Sequence, residues 1–111
     1  MAYSLELAAR VRDVLGGRDG VTERRMFGGL AWMVDGNMAC GAFGEDLLVR
    51  LGREDAESAL REPHAGPMEV GAGRRPMRGF VRVSGEGIVE DGELAQWVDA
   101  GAGYAASLPP K

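Results

Sequence analysis

Ala31-Trp32-Met33-Val34-Asp35-Gly36-Asn37-Met38-Ala39-Cys40 is the stretch that decides how this chain folds. Two apolar runs flank Asp35-Gly36, a pair that tolerates the positive φ angles of a type I′ turn and so predicts a two-residue β-hairpin. The first strand is predicted over about Phe27–Val34 and the second over about Asn37–Phe43. With a two-residue loop, Met33 faces Met38, Trp32 faces Ala39 and Ala31 faces Cys40. That register puts Ala31, Met33, Met38 and Cys40 on one face and Leu30, Trp32 and Val34 on the other. Both faces are therefore apolar, and each needs something to bury it.

Upstream, Ser4 is a candidate N-cap, with Leu5, Ala8, Val11, Val14 and Leu15 at helical spacing, so a helix is predicted over Ser4–Leu15. Gly16-Gly17 ends it, and residues 16–22 read as a polar connection. Downstream, Gly44-Glu45-Asp46 makes a turn into a third strand at Leu47–Leu51, followed by a short helix at Arg53–Arg61 that Glu62-Pro63 stops. Met68–Val70 reads as a short fourth strand, Gly71–Gly79 as a loop rich in Gly and Arg, and Phe80–Val83 as a fifth strand. Leu94, Trp97, Val98, Gly101, Ala105 and Leu108 mark a last helix, capped near Asp91 and ended by Pro109-Pro110.

The order α-β-β-β-α-β-β-α predicts an α+β fold: a two-layer sandwich with an antiparallel sheet of about five strands and three helices on one side. One helix layer buries one sheet face. The other is expected to meet a partner, and a homodimer through Trp32, Met33 and Met38 is the preferred resolution. The 111 residues form one domain, long enough to bury a core without metal or disulfide staples.

Composition excludes more than it assigns. A net charge of −4 argues against a general nucleic-acid coat. Cys40 is the lone cysteine, which leaves no intramolecular disulfide and fits a reducing, cytoplasmic setting. The first residues lack a basic start followed by an apolar run, so no signal peptide is expected, nor is any apolar stretch long enough for a membrane span.

Arginine outnumbers lysine twelve to one, and the arginines are unevenly placed. Arg24-Arg25 precede Met26-Phe27-Gly28-Gly29, and Arg74-Arg75 precede Met77-Arg78-Gly79-Phe80. If these two segments lie side by side, Arg24, Arg25, Arg74, Arg75 and Arg78 form a rim able to bind phosphate, an acidic peptide or nucleic acid, since guanidinium forks suit such anions. The bland reading pairs them with Glu23, Glu69 and the acidic run Glu86, Glu90, Asp91, Glu93. Gly28-Gly29 lacks the spacing of a phosphate-binding loop and reads as close packing or a bulge.

Cys40 reads as a small buried residue, because nothing local would depress its pKa. His64 and Cys40 are two soft ligands where a structural zinc site takes about four, so no metal or cofactor is expected. A Cys-His pair, or a ligand pocket near Cys40, His64 and Met77, stays open as an enzymatic alternative. Met26, Met33, Met38, Met68 and Met77 divide between core filling and an adaptable surface.

One ordered set of residues goes further. It comprises Met26-Phe27-Gly28-Gly29, Asn37-Met38, Cys40-Gly41, Leu48-Val49-Arg50-Leu51-Gly52, Pro63-His64, Pro67-Met68 and Arg75-Pro76-Met77-Arg78-Gly79-Phe80-Val81. Through it the chain resembles the TfoX N-terminal domain of the TfoX/Sxy family over nearly its whole length. The resemblance implies a two-layer α+β domain similar to secretion chaperones and a bacterial, regulatory protein. Two-domain members of the family include regulators of competence for DNA uptake and add a C-terminal helical domain. The resemblance supplies no catalytic motif, so a non-enzymatic interaction domain is the expected function. Nucleic-acid or anion binding through the arginine rim is the alternative, and an enzyme or ligand binder near Cys40 the second.

Overall fold

The structure is a computed structural model that describes residues 3–26, 28–70, 73 and 75–111. It has the expected α+β class, with three helices and an antiparallel sheet of six strands where about five were expected. The elements run α1 (Leu5–Leu15), β1 (Val21–Met26), β2 (Gly29–Val34), β3 (Asn37–Phe43), β4 (Asp46–Arg50), α2 (Arg53–Ala59), β5 (Ala65–Val70), β6 (Arg75–Val83) and α3 (Asp91–Ser107). A single 3₁₀ turn, Gly85–Ile88, joins β6 to α3. The sheet order is β1-β2-β3-β4-β6-β5, so β1 and β5 are its edges.

The additional strand is β1, where the sequence reads as a polar connection leading to a later start. Val-Thr-Glu-Arg-Arg-Met shows no apolar alternation because β1 is an edge strand with exposed residues along its middle. Phe27, the expected start of the first strand, lies outside the described residues. So do Gly71, Ala72 and Arg74 of the expected loop, whose later part, Arg75–Gly79, is the start of β6.

Local chemistry explains the boundaries. The Ser4 hydroxyl accepts from the Leu7 amide at 3.1 Å and caps α1. Asp35 and Gly36 have φ of 51° and 85°, both positive as a type I′ turn requires. Met33 pairs with Met38 as the turn dictates. One residue further the register slips, and Trp32 pairs with Cys40 rather than Ala39. Ala39 is thus the extra residue of a β-bulge, which re-aims the side chains beyond it. Cys40 therefore joins Trp32 in the helix-facing core, and the expected grouping of Cys40 with Ala31, Met33 and Met38 is corrected.

All three helices pack on one sheet face. Leu7, Val11 and Leu15 of α1, Ala56 of α2 and Leu94, Val98 and Ala102 of α3 share a cluster with Leu30, Trp32, Val34, Leu47, Val49, Val81 and Val83. The opposite face carries a second cluster of Ala31, Met38, Phe43, Leu48 and Met68, to which no helix contributes among the described residues. The C-terminal tail closes the β2–β3 turn. The Lys111 amide donates to the Asp35 carbonyl at 2.8 Å, and the buried Asn37 amide donates to the Pro109 carbonyl at 2.9 Å. Asn37→Ala removes this side-chain anchor and is expected to cost about 1–2 kcal/mol. A thermal melt would show it as a fall of roughly 5 °C.

Candidate functional site

The outer sheet face is built by alternation along four strands. Ala31 on β2, Met38 on β3, Leu48 on β4 and Met68 on β5 are buried there, with Met26, Met33, Met77 and Phe80 half-buried around them. Leu48 is inaccessible although no helix lies over it. Its directly paired neighbour on β6 is Arg82, whose Nε donates to Asp46 Oδ2 at 2.8 Å. Arg82 Nη1 also lies 4.0 Å from Met68 Sδ, so the arginine shares this face with Leu48 while a carboxylate holds its charge. The face is therefore partly self-covered, and its half-buried methionines and Phe80 are the apolar surface left to solvent.

Of the three residues expected at an interface, Met33 and Met38 lie on this outer face. Trp32 lies on the other, buried under the helices. Its indole N–H donates to Glu23 Oε2 at 3.0 Å. Glu23 also takes a fork from Arg12, with Nη2 at 2.9 Å from Oε1 and Nε on Oε2. The Arg12 hydrogen bonds hold the Glu23 carboxyl below the usual carboxylate range, and the Trp32 N–H adds to that effect. The trio ties α1, β1 and β2 together, a structural rather than a chemical use of the tryptophan.

Among the described residues, Arg24 and Arg25 do not share a rim with Arg75 and Arg78. Arg24 pairs with Ala31 and so lies on the outer face, whereas Arg25 pairs with Leu30 and lies on the helix side. Both are exposed on the edge strand β1. Arg75 and Arg78 are exposed on β6, four strand spacings away, about 19 Å along the sheet. Arg74 lies outside the described residues. The structure thus gives two separate basic places.

Nor do Cys40, His64 and Met77 converge. Cys40 is inaccessible on the inner face, Met77 packs on the outer face, and His64 is exposed in the turn before β5. The strands β3 and β5 are three spacings apart, about 14 Å. The expected alternative of a pocket near Cys40 is corrected accordingly. Burial pushes the Cys40 thiol up to about 12. At pH 8 such a thiol is ionised in roughly one molecule in ten thousand. An aromatic disulfide reagent is expected to modify Cys40 at least about a thousandfold more slowly in the native protein than in denaturant. Among the described residues no group of three His, Cys, Asp or Glu side chains is placed to hold a metal ion.

Among the described residues, grooves lie at three further places. One, of about 370 Å³, lies between the end of α2 and α3 and contains His64, Glu93 and Trp97. His64 has a positive φ of 68° and its carbonyl accepts from the Ser84 amide, so its backbone serves a tight turn. A second, of about 520 Å³, is acidic, with Glu6, Glu45, Asp46 and Glu86 around Arg10. The third, of about 450 Å³, runs between α2 and β6 and holds Arg53, Arg78, Leu60, Met77 and Phe80. Nothing in the sequence joined Arg53 and Leu60 to Arg78, because the two segments meet only through the folded sheet.

Among the described residues, no helix is long and apolar enough to cross a membrane. No curated protein and no solved structure matches the chain. A family model does match, that of the TfoX N-terminal domain, over residues 13–105. That span takes in every strand of the sheet, α2, most of α3 and the last residues of α1, and the chain belongs to the TfoX N-terminal domain family.

Proposed function

We propose that this chain is a non-enzymatic regulatory domain that works by binding protein, and that two copies associate through the outer sheet face. The observation that carries this reading is the cluster of half-buried Met26, Met33, Met77 and Phe80 on a face that no helix covers. Methionine is adaptable and polarizable, which suits a surface that packs against another surface. A two-fold dimer places the same patch on both copies, so the methionines of each can fill gaps in the other. Trp32 takes no part, being on the opposite face.

The test is oligomeric state against concentration. Light scattering at high micromolar concentration should give twice the chain mass, and Met33→Glu or Met77→Glu should return the monomer. Both positions are partly exposed, so the melting temperature of the variants at low concentration should match that of the parent. A wild-type chain that stays monomeric at high micromolar concentration would sink the dimer.

A further inference from the structure

The groove between α2 and β6 has a built geometry. Between Pro76 and Val81, β6 carries more residues than the β5 stretch Pro67–Glu69 that it faces, and the surplus is taken up as a kink. Gly79, with a φ of 86°, supplies the left-handed step that a side chain would strain. In a regular strand Met77 and Phe80, three residues apart, would face opposite ways. The kink turns both toward the outer cluster and leaves Arg78 outside. The Gly79 carbonyl accepts from the Leu51 and Gly52 amides at 2.8 and 3.1 Å, which fixes the kink beside the start of α2. The result is an apolar floor of Ala56, Met77 and Phe80 with Leu60 at its edge and Arg53 and Arg78 on its walls.

The groove brings exposed apolar surface and exposed arginine together. Among the described residues the exposed large hydrophobic side chains are Leu5, Leu60 and Val89. Leu5 and Val89 neighbour acids in the chain, Glu6 for the one and Glu90 for the other. Leu60 instead lines a groove with two arginines and one acid, Glu57, on a chain of net charge −4. Arg10, Arg12 and Arg82 are held by carboxylates, whereas among the described residues no ion pair holds Arg53 or Arg78, nor the exposed Arg18, Arg24, Arg25 and Arg61; of these, Arg53 and Arg78 line the groove that holds Leu60. A free guanidinium beside an exposed apolar floor is complementary to a carboxylate beside an apolar side chain.

We propose that this groove binds an acidic peptide segment with an apolar anchor, supplied by a partner protein. The anchor fills the space over Leu60, Met77 and Phe80, and flanking carboxylates meet Arg53 and Arg78. Nucleic acid suits the groove less well. Among the described residues its lining holds a single aromatic side chain, Phe80, where a strand of bases is bound by a series of stacking platforms. The inference rests on the interaction-domain reading but not on the homodimer, which uses the outer face as a whole.

The test is selection of displayed random peptides on the immobilised full chain, then on Arg53→Glu/Arg78→Glu. Wild type should enrich sequences combining Asp or Glu with large apolar residues. Those peptides, made with a fluorescent label, should bind the double variant at least tenfold more weakly, and selection on that variant should turn toward Lys and Arg. Leu60→Glu should weaken binding similarly, and all three positions are exposed enough for the fold to survive, as circular dichroism would verify. The inference is overturned if nothing is enriched, or if enriched peptides are basic or neutral. Equal binding to the double variant overturns it too, as does binding of a labelled single-stranded oligonucleotide in place of peptides. If selected peptides bind while light scattering shows only monomer, the dimer fails and the groove stands; the converse result separates them the other way.

Discussion

Gly101→Val is expected to destabilise the domain by about 3 kcal/mol, while Gly103→Ala, two residues along the same helix, is expected to stabilise it by up to about 1 kcal/mol. The opposite signs follow from where the two glycines point. A β-carbon on Gly101 would sit 2.4 Å from the Ala39 carbonyl oxygen and 3.2 Å from Val49 Cγ1. The oxygen belongs to the backbone of a central strand and cannot swing aside, so α3 must lift from the sheet. Lifting it loosens Leu94, Val98, Ala102 and Ala105 together, because all four are buried in the same cluster. A β-carbon on Gly103 meets nothing within 4 Å. There the only effect is the lower backbone entropy of the unfolded chain and the better helix propensity of alanine. Thermal melts of the two variants check both signs, with Gly101→Val falling by roughly 10 °C or more. Equal and small shifts would mean that α3 does not rest on the Ala39 bulge.

That contact also shows what a sequence can and cannot reveal about this fold. The turn at Asp35-Gly36 was legible because turn geometry is local: two residues set φ, and φ sets the pairing of Met33 with Met38. The bulge one step later was not legible. It lies where the Ala39 carbonyl meets Gly101, sixty-two positions away in the chain, and it sends Cys40 to the other face. For the same reason β1 is hidden in the sequence: its partner β2 makes it a strand, while its own residues look like a charged connection. Arginine pairs before Met and Gly at two places suggested one anion site. The sheet order separates them, because β1 is an edge and β6 lies beyond the middle. What the two segments do share is a glycine with left-handed φ, 81° at Gly28 and 86° at Gly79, each letting the chain change direction. The groove beside α2 had no sequence signal, since Arg53 and Leu60 are brought to Arg78 only when α2 packs against β6.

Trp32→Ala carries the largest expected effect, about 3–5 kcal/mol. The side chain is 1% exposed, the largest fully buried one in the chain, and it spans the space between β2 and the helix layer. Its removal leaves a cavity that Cys40, its direct cross-strand neighbour, borders. Native-state labelling of Cys40 should then accelerate in step with the lost stability, which gives a second readout besides the melt. Trp32→Phe isolates the polar part. The ring volume is largely kept, but the N–H that reaches Glu23 at 3.0 Å is gone. Because Glu23 keeps Arg12 and access to water, this loss should cost only about 1 kcal/mol. A residue at a two-fold interface would behave otherwise. Its truncation would split the dimer on dilution and leave the melting temperature of the monomer almost unchanged. A core residue lowers the melting temperature equally at every concentration. Measuring Trp32→Ala across a concentration series therefore distinguishes the helix-facing core from an interface. Met33→Glu in the same series supplies the contrast, since Met33 sits one residue away on the opposite face.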